Sequence, residues 1–307
     1  MRKFEKEVLG TTAALITAVI SGFAIPLNKI FVVDLDPVVF TAIRALIVGV
    51  VFLAMSRVFQ PKDHKNKDVT EHPWAYLLAV GIIGGCLAFI FYFSGLQLTD
   101  VSRAAFIHKT LPIWVTMFAY FILKEYVHRK QVFAMLVMLL GVFLIFITPT
   151  SLVGFMMPVT IGDLFCLIAT ILWALEAIIA RHAMLKNYHH FFVSFGRMLF
   201  GGIFLFGAVL LLGRLPALIA LQPYQFVNIL ISSTVLFGYV FFYYTAIHYT
   251  KVSKVATLLL LAPIISLLAG VFLLGESVQA IQLAGSALIL LGAYFVTNIK
   301  SRVVTGV

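Results

Sequence analysis

Arg44, Lys109, Glu176 and Arg197 are charged residues set inside long apolar runs, and His108 stands beside Lys109. An ionised side chain in the middle of a membrane helix costs about 2.5–3.5 kcal/mol on insertion scales, so such a residue is expected to pair or to serve a water-filled site. Depth sorts the four, given the orientation argued below. Arg44 lies about seven residues in from the outer end of its run and Lys109 about eight, which at ~1.5 Å per residue puts both roughly 10–12 Å deep. Arg197 and Glu176 stand comparably far from the inner ends of their runs. Glu176 and Arg197 can therefore meet as a buried ion pair with a structural role. No acid shares the depth of Arg44 and Lys109. These two cations either snorkel to the outer interface or face a cavity and attract an anion such as a carboxylate. Lys109 is the leading candidate for a substrate-anion site. His108 is about 100° round the helix from Lys109 and is expected to face elsewhere, though it too is polar in an apolar helix.

Other side chains have a structural and a functional reading. Trp114, Trp173, Tyr92, Tyr243 and Tyr244 could line a pocket for an apolar or aromatic molecule, or pack against lipid and neighbouring helices. Pro112 and Pro263 each interrupt an apolar run. A missing N–H and a ring clash kink a helix, giving either a fixed bend or a gate with freed carbonyls over a cavity. Glu125 and Glu276 end one run and precede the next, where a carboxylate is favourable against a helix dipole by roughly 0.3–1 kcal/mol. Gly84, Gly85, Gly201, Gly202, Gly285 and Gly292 read as close helix-packing positions. His64, His72, His182, His189 and His190 lack accompanying acids, so a metal site is not expected. No Walker or Rossmann sequence is present, nor a nucleophile with its base, so ATP-driven pumping by this chain and enzymatic activity are not expected.

These residues must be positioned by membrane helices. Of 307 residues, 62% are hydrophobic and 11% charged, and the mean hydropathy is +1.08. Lipid requires the backbone to satisfy its own hydrogen bonds, which leaves helices or closed barrels. The runs are about 20 residues long and do not alternate, which fits helices. They fall at roughly 8–28, 38–58, 74–97, 101–123, 129–148, 161–182, 190–213, 224–247, 252–275 and 279–299, with ends uncertain by about 2–4 residues. Cys86 and Cys166 lie inside runs and read as small packing residues. The amino-terminal MRKFEKE and its long apolar run read as an uncleaved first helix rather than a signal peptide.

The chain repeats itself. Residues 101–127 recur without gaps at 252–278, with nine of 27 positions identical, among them Ser102/Ser253, Pro112/Pro263 and Glu125/Glu276. The offset of 151 also matches Tyr92 with Tyr243, Gln131 with Gln282 and Gly141 with Gly292. Small drifts match Lys29 with Arg181 and Arg44 with Arg197. With a cytoplasmic amino terminus, sixteen Lys and Arg fall inside, including Lys62, Lys65 and Lys67, and three outside. That asymmetry is the positive-inside pattern; it accounts for the net charge of +10 without nucleic acid. Five spans per half make the second half insert upside down. Lys124, Arg129 and Lys130 correspond to the uncharged Gly275, Ala280 and Ile281, as inversion requires. Inverted repeats of this kind recur in secondary transporters, with a site near the midplane between the halves.

The paired set resembles the drug/metabolite transporter superfamily, EamA type. It rests on SGFAIPLNK and WALEAIIAR in the first span of each half, and Arg44 and Arg197 in the second. In the fourth come Ser102, Ala104, Ala105, Pro112 and Glu125, then Ser253, Ala256, Pro263, Gly275 and Glu276. The resemblance covers nearly the whole chain. It implies a ten-helix carrier of small metabolites, often an exporter, working without ATP, with spans 1–4 and 6–9 around a cavity and spans 5 and 10 peripheral. Lys124 replaces the usual Gly, and His108, Lys109 and Glu176 depart from the pattern; their repeat positions hold Leu259, Leu260 and Ala24.

The expectation is an all-α integral membrane protein, one domain over 1–307, with ten transmembrane helices as two inverted five-helix repeats at about 8–148 and about 161–299. It should sit in the cell membrane, plasma or inner, with both termini cytoplasmic. Its expected function is secondary transport of a small metabolite such as an amino acid, by alternating access. Lys109, Arg44, His108, Trp114, Trp173, Tyr92 and Tyr243 are the expected substrate contacts, Pro112 and Pro263 the kinks. The alternative is a non-transporting membrane scaffold or sensor. No cofactor, metal or nucleic acid is expected. Coupling to a proton or ion gradient stays open, as does monomer against homodimer.

Overall fold

The structure is a computed structural model that describes residues 3–31, 35–59, 73–147 and 149–299. Lys62, Lys65, Lys67, His64 and His72 lie outside the described residues, as does the side chain of Lys29. Among the described residues nine helices are long and apolar enough to cross a membrane. The first, second, third and fifth spans are Lys3–Phe31, Pro37–Val58, Pro73–Leu96 and Arg129–Phe146. The sixth, seventh and eighth are Ile161–Leu185, His190–Leu211 and Pro223–Tyr249. The ninth begins at Val252, and the tenth is Ala280–Asn298. The fourth is the remaining span; a break at Thr110 divides it into Val101–Lys109 and Leu111–Phe121.

That break follows from Pro112, which can give no N–H to the preceding turn and whose ring crowds it. The chain makes a tight turn instead. The Thr110 hydroxyl donates to the Ile107 carbonyl at 2.6 Å, and Ile113 N–H restarts the helix on the Thr110 carbonyl at 2.9 Å. The ninth span is interrupted at the repeat position. Its α-helix gives way to a 3₁₀ turn at Leu259–Leu261 before resuming at Ala262, one residue ahead of Pro263.

The halves interlock rather than sit side by side. Span one packs on eight, two on seven, three on six and five on ten. Leu111–Phe121 packs on Val252–Leu258 at the end of the bundle that holds both chain termini. Spans five and ten meet along their glycines: a Cβ on Gly141 would lie 2.5 Å from the Gly285 carbonyl oxygen.

Helix starts are capped in different ways. Asp100 accepts from Ser102 N–H (2.8 Å) and Arg103 N–H (3.3 Å), closing the start of span four with its own neighbour. Lys251, before span nine, has no side-chain cap to offer. Glu125 supplies one from the other half. Its carboxylate accepts from Val252 N–H (3.4 Å) and Ser253 Oγ (3.3 Å), and Arg181 Nε lies 3.8 Å away. This corrects the expectation that Glu125 serves the helix that follows it in sequence; His128 caps that helix. Lys251 Nζ donates to the Tyr126 carbonyl at 2.5 Å, adding a second tie between the halves. Burial pushes the Glu125 carboxyl up from the ordinary carboxylate range, and the Arg181 charge and the backbone bond from Val252 pull against it. Lys124 takes a left-handed φ of 54°, close to the 66° of Gly275, so the departure from glycine leaves the turn's backbone in place.

Candidate functional site

A cavity of about 650 Å³ lies between the halves, within the range of small-molecule sites. Its lining starts at the end away from the termini, with Val101, Ser102, Glu276 and Gln282, and runs down to Tyr243, Arg197 and Ala256. It includes no residue of the loops at the other end, where Glu125, Arg181, Lys251 and Ser253 tie the helices together. Spans five and ten contribute at the mouth through Ile145, Phe146 and Gln282, so they are not wholly peripheral.

The intramembrane charges all line this cavity. Arg197 Nη1 lies 3.6 Å from Glu176 Oε2, and the Tyr244 hydroxyl donates to Glu176 Oε1. The arginine also stands over the Tyr244 ring at 5.9 Å. Gly84 makes room for the acid: a Cβ there would fall 2.2 Å from Glu176 Cγ. Two π-helical turns, Ile83–Leu87 and Gly196–Phe200, face each other beside the pair, and Arg197 belongs to the second. Such turns re-aim side chains by inserting a residue, often at functional sites.

Arg44 and Lys109 are different. Arg44 Nη1 donates to Ser232 Oγ at 2.8 Å, Ser232 donates to Asn28 Oδ1 at 2.7 Å, and the guanidinium lies 4.0 Å from the Phe40 ring centroid. Among the described residues neither Arg44 nor Lys109 has a carboxylate within ion-pair distance. Both point to the cavity rather than escaping to the interface. His108 lines it too, alongside Lys109. The long lysine stem lets its ammonium reach the cavity from the neighbouring helical position.

His108, Tyr92 and Trp173 form one wall. The Trp173 ring centroid lies 4.8 Å from His108 and 5.3 Å from Tyr92, and its indole donates to the Gly84 carbonyl at 3.1 Å. Phe89 joins edge-on at 5.3 Å. Tyr243 lines the opposite side, stacked on Tyr239 at 5.8 Å. Pro112 and Pro263 both reach the cavity. Trp114 is not among the lining residues; its indole donates to Thr110 Oγ1 at 3.3 Å and the ring packs on the main core. The sequence reading passed over Asn28, Ser232, Phe89 and Tyr239. Of the polar pair only Ser232 had a signal, since it stands about eight residues in from the outer end of its run, near the depth of Arg44. The aromatic pair had none among 29 phenylalanines and 11 tyrosines. Among the described residues no cluster of His, Cys, Asp or Glu could hold a metal ion.

A bundle of membrane-crossing helices, duplicated in sequence and enclosing a cavity shared by its two halves, has the architecture of a membrane transporter. The chain belongs to the EamA-like transporter family, whose profile matches residues 8–147 and again 160–298. It is 24% identical over 285 residues to the Bacillus subtilis (strain 168) protein named Uncharacterized transporter YoaV, covering 92% of this chain and 94% of that one. It is 27% identical over 278 residues to an uncharacterized transporter of Clostridium kluyveri, covering 84% and 83% of the two. A third such relative, from Archaeoglobus fulgidus, is 27% identical over 287 residues, 92% of this chain and 96% of its own. A solved crystal structure superposes with a TM-score of 0.72 at 17% identity, covering 96% of this chain and 99% of that one, which shows a shared fold. The protein is thus a multi-pass membrane transporter, with a lipid bilayer around it and a small molecule as its substrate.

Proposed function

We propose that this protein is a secondary transporter of small metabolites bearing an anionic group, such as amino acids or related compounds, and works by alternating access as an exporter or facilitator. The cavity carries this reading: it is built from both halves, reaches one end of the bundle, and holds two cations without carboxylate partners among the described residues. Lys109 is the main anion site, with Arg44, His108, Trp173, Tyr92 and Tyr243 as further contacts. A scaffold would pair off its buried charges; Glu176 and Arg197 do pair, but among the described residues Arg44 and Lys109 meet no carboxylate. Purified protein in proteoliposomes, offered labelled amino acids with and without an imposed pH gradient, tests the proposal. Uptake that depends on the protein supports it, and a response to the gradient would identify proton coupling. A folded protein that moves none of the set favours a scaffold or sensor.

Orientation has its own test. Both termini and the loop around Lys62, Lys65 and Lys67 should be cytoplasmic. In intact cells an impermeant thiol reagent should label a single cysteine at position 152 and not one at 64. The reverse pattern would overturn the orientation and the inverted repeat with it.

The two helix breaks should matter for rate more than for folding. Pro112→Ala and Pro263→Ala are expected to leave protein levels near normal and to slow transport, because straightening each break changes the balance between the two facing states. Wild-type rates in both variants would reduce the prolines to tolerated bends.

A further inference from the structure

The two halves treat their second-span arginine differently. In the second half Arg197 is met by the carboxylate of Glu176 and by Tyr244, which also donates to that carboxylate. The matching positions in the first half are Arg44, Ala24 and Phe93. The arginine is kept, while the acid has become a methyl group and the phenol has lost its hydroxyl. Ala24, Arg44 and Phe93 all line the cavity. Arg44 is only 9% exposed, Ser232 is the one acceptor it meets among the described residues, and its buried Nε has no partner. Ala24 stands one helical turn before Asn28, on the same face, and Asn28 is joined to Arg44 through Ser232.

We propose that Arg44 is a second receptor, beside Lys109, for a carboxylate on the transported molecule, which takes in the first half the place that the Glu176 carboxylate holds in the second. The proposal rests on the reading that the cavity carries a small anionic or zwitterionic molecule, and it adds where the anion is held. An internal acid at position 24 would neutralise Arg44 permanently; alanine leaves the charge for the cargo. Glu176 ties span six to spans seven and eight at the depth where the cavity ends. A cargo carboxylate on Arg44 of span two, beside Ser232 of span eight and Asn28 of span one, would draw the open end together only when the site is loaded.

The test is to install the missing acid. Ala24→Glu, Ala24→Asp and the uncharged Ala24→Gln are purified and melted against sodium acetate, benzoate, succinate and the proteinogenic L-amino acids, with sodium chloride as reference. Any carboxylate that stabilises wild type is then followed in proteoliposome uptake. Wild type should be stabilised by at least one of these probes. Ala24→Glu should melt no lower than wild type unaided, show no carboxylate-dependent rise, and lose roughly tenfold to hundredfold in uptake, the worth of one charged hydrogen-bonded pair. Ala24→Asp carries the same expectation should the longer acid misfold. Ala24→Gln should keep a carboxylate response. A wild-type response in the acidic variants overturns the assignment, and so does an equal loss in Ala24→Gln, which would make the effect steric. Lys109→Leu, run in parallel, separates the two readings. If it abolishes the response while Ala24→Glu preserves it, the role of Arg44 falls and the anion cavity stands. A wild type that answers to no carboxylate ends both.

Discussion

Arg197→Met is expected to lower the stability of the solubilised protein by about 3–5 kcal/mol, the usual cost of removing one partner of a buried ion pair. The reason is the carboxylate left behind. Glu176 is 1% exposed, and without Arg197 the one side-chain partner left to it among the described residues is the Tyr244 hydroxyl. The double variant Glu176→Leu/Arg197→Met removes both charges and should recover most of the loss, because desolvation of a buried pair consumes much of its attraction. Thermal unfolding in detergent reads both. A double variant that melts as low as the single one would show that the loss comes from packing and not from charge. Transport by the double variant then decides a further point. Activity near wild type would make the pair structural; a stable but inactive protein would give it a part in the cavity.

Lys109→Leu should fold at least as well as wild type and lose transport of anionic and zwitterionic substrates. The substitution installs the residue already present at the repeat position, Leu260. It also removes a charge that costs about 2.5–3.5 kcal/mol in a membrane helix. With no carboxylate near Lys109 among the described residues, no internal partner is stranded by the change. Hydrogen bonds to charged groups are worth about 1.5–3 kcal/mol, so substrate affinity should fall by roughly tenfold or more. Retained transport at unchanged affinity would reject Lys109 as the anion site. An unstable variant would show that the lysine has a structural partner.

The architecture was legible because the repeat is written in scarce residues. Ser102/Ser253, Pro112/Pro263 and Glu125/Glu276 fix the register of two halves, and apolar run length fixes the helices. The pairing of Glu176 with Arg197 followed from depth alone, since helical rise converts sequence position into height. Depth says nothing about azimuth or about which spans are neighbours. For that reason Trp114 was grouped with the cavity aromatics although its ring packs on the core. Angular spacing also misled at His108, which lines the cavity together with Lys109 although the two are neighbours in one helical segment. Glu125 was assigned to the next helix in sequence, because its true partners, Val252 and Ser253, lie more than a hundred residues away.

The capping of spans four and nine weighs one end of the molecule against the other. At the closed end, the start of span nine has no acceptor of its own, and Glu125 from the opposite half fills the role. At the open end the corresponding residues are Glu276, Ser102 and Val101, all at the cavity mouth. There Asp100 stands where Lys251 stands in the copy, and it already occupies the N–H groups of Ser102 and Arg103. A glutamate crossing from the second half to the Val101 N–H and the Ser102 hydroxyl, the counterparts of the groups Glu125 caps, would meet that aspartate's negative charge rather than a lysine. The two latches are therefore unequal although their ancestors were the same, and under the alternating access proposed above that inequality should bias the unloaded protein toward the conformation with its mouth away from the termini.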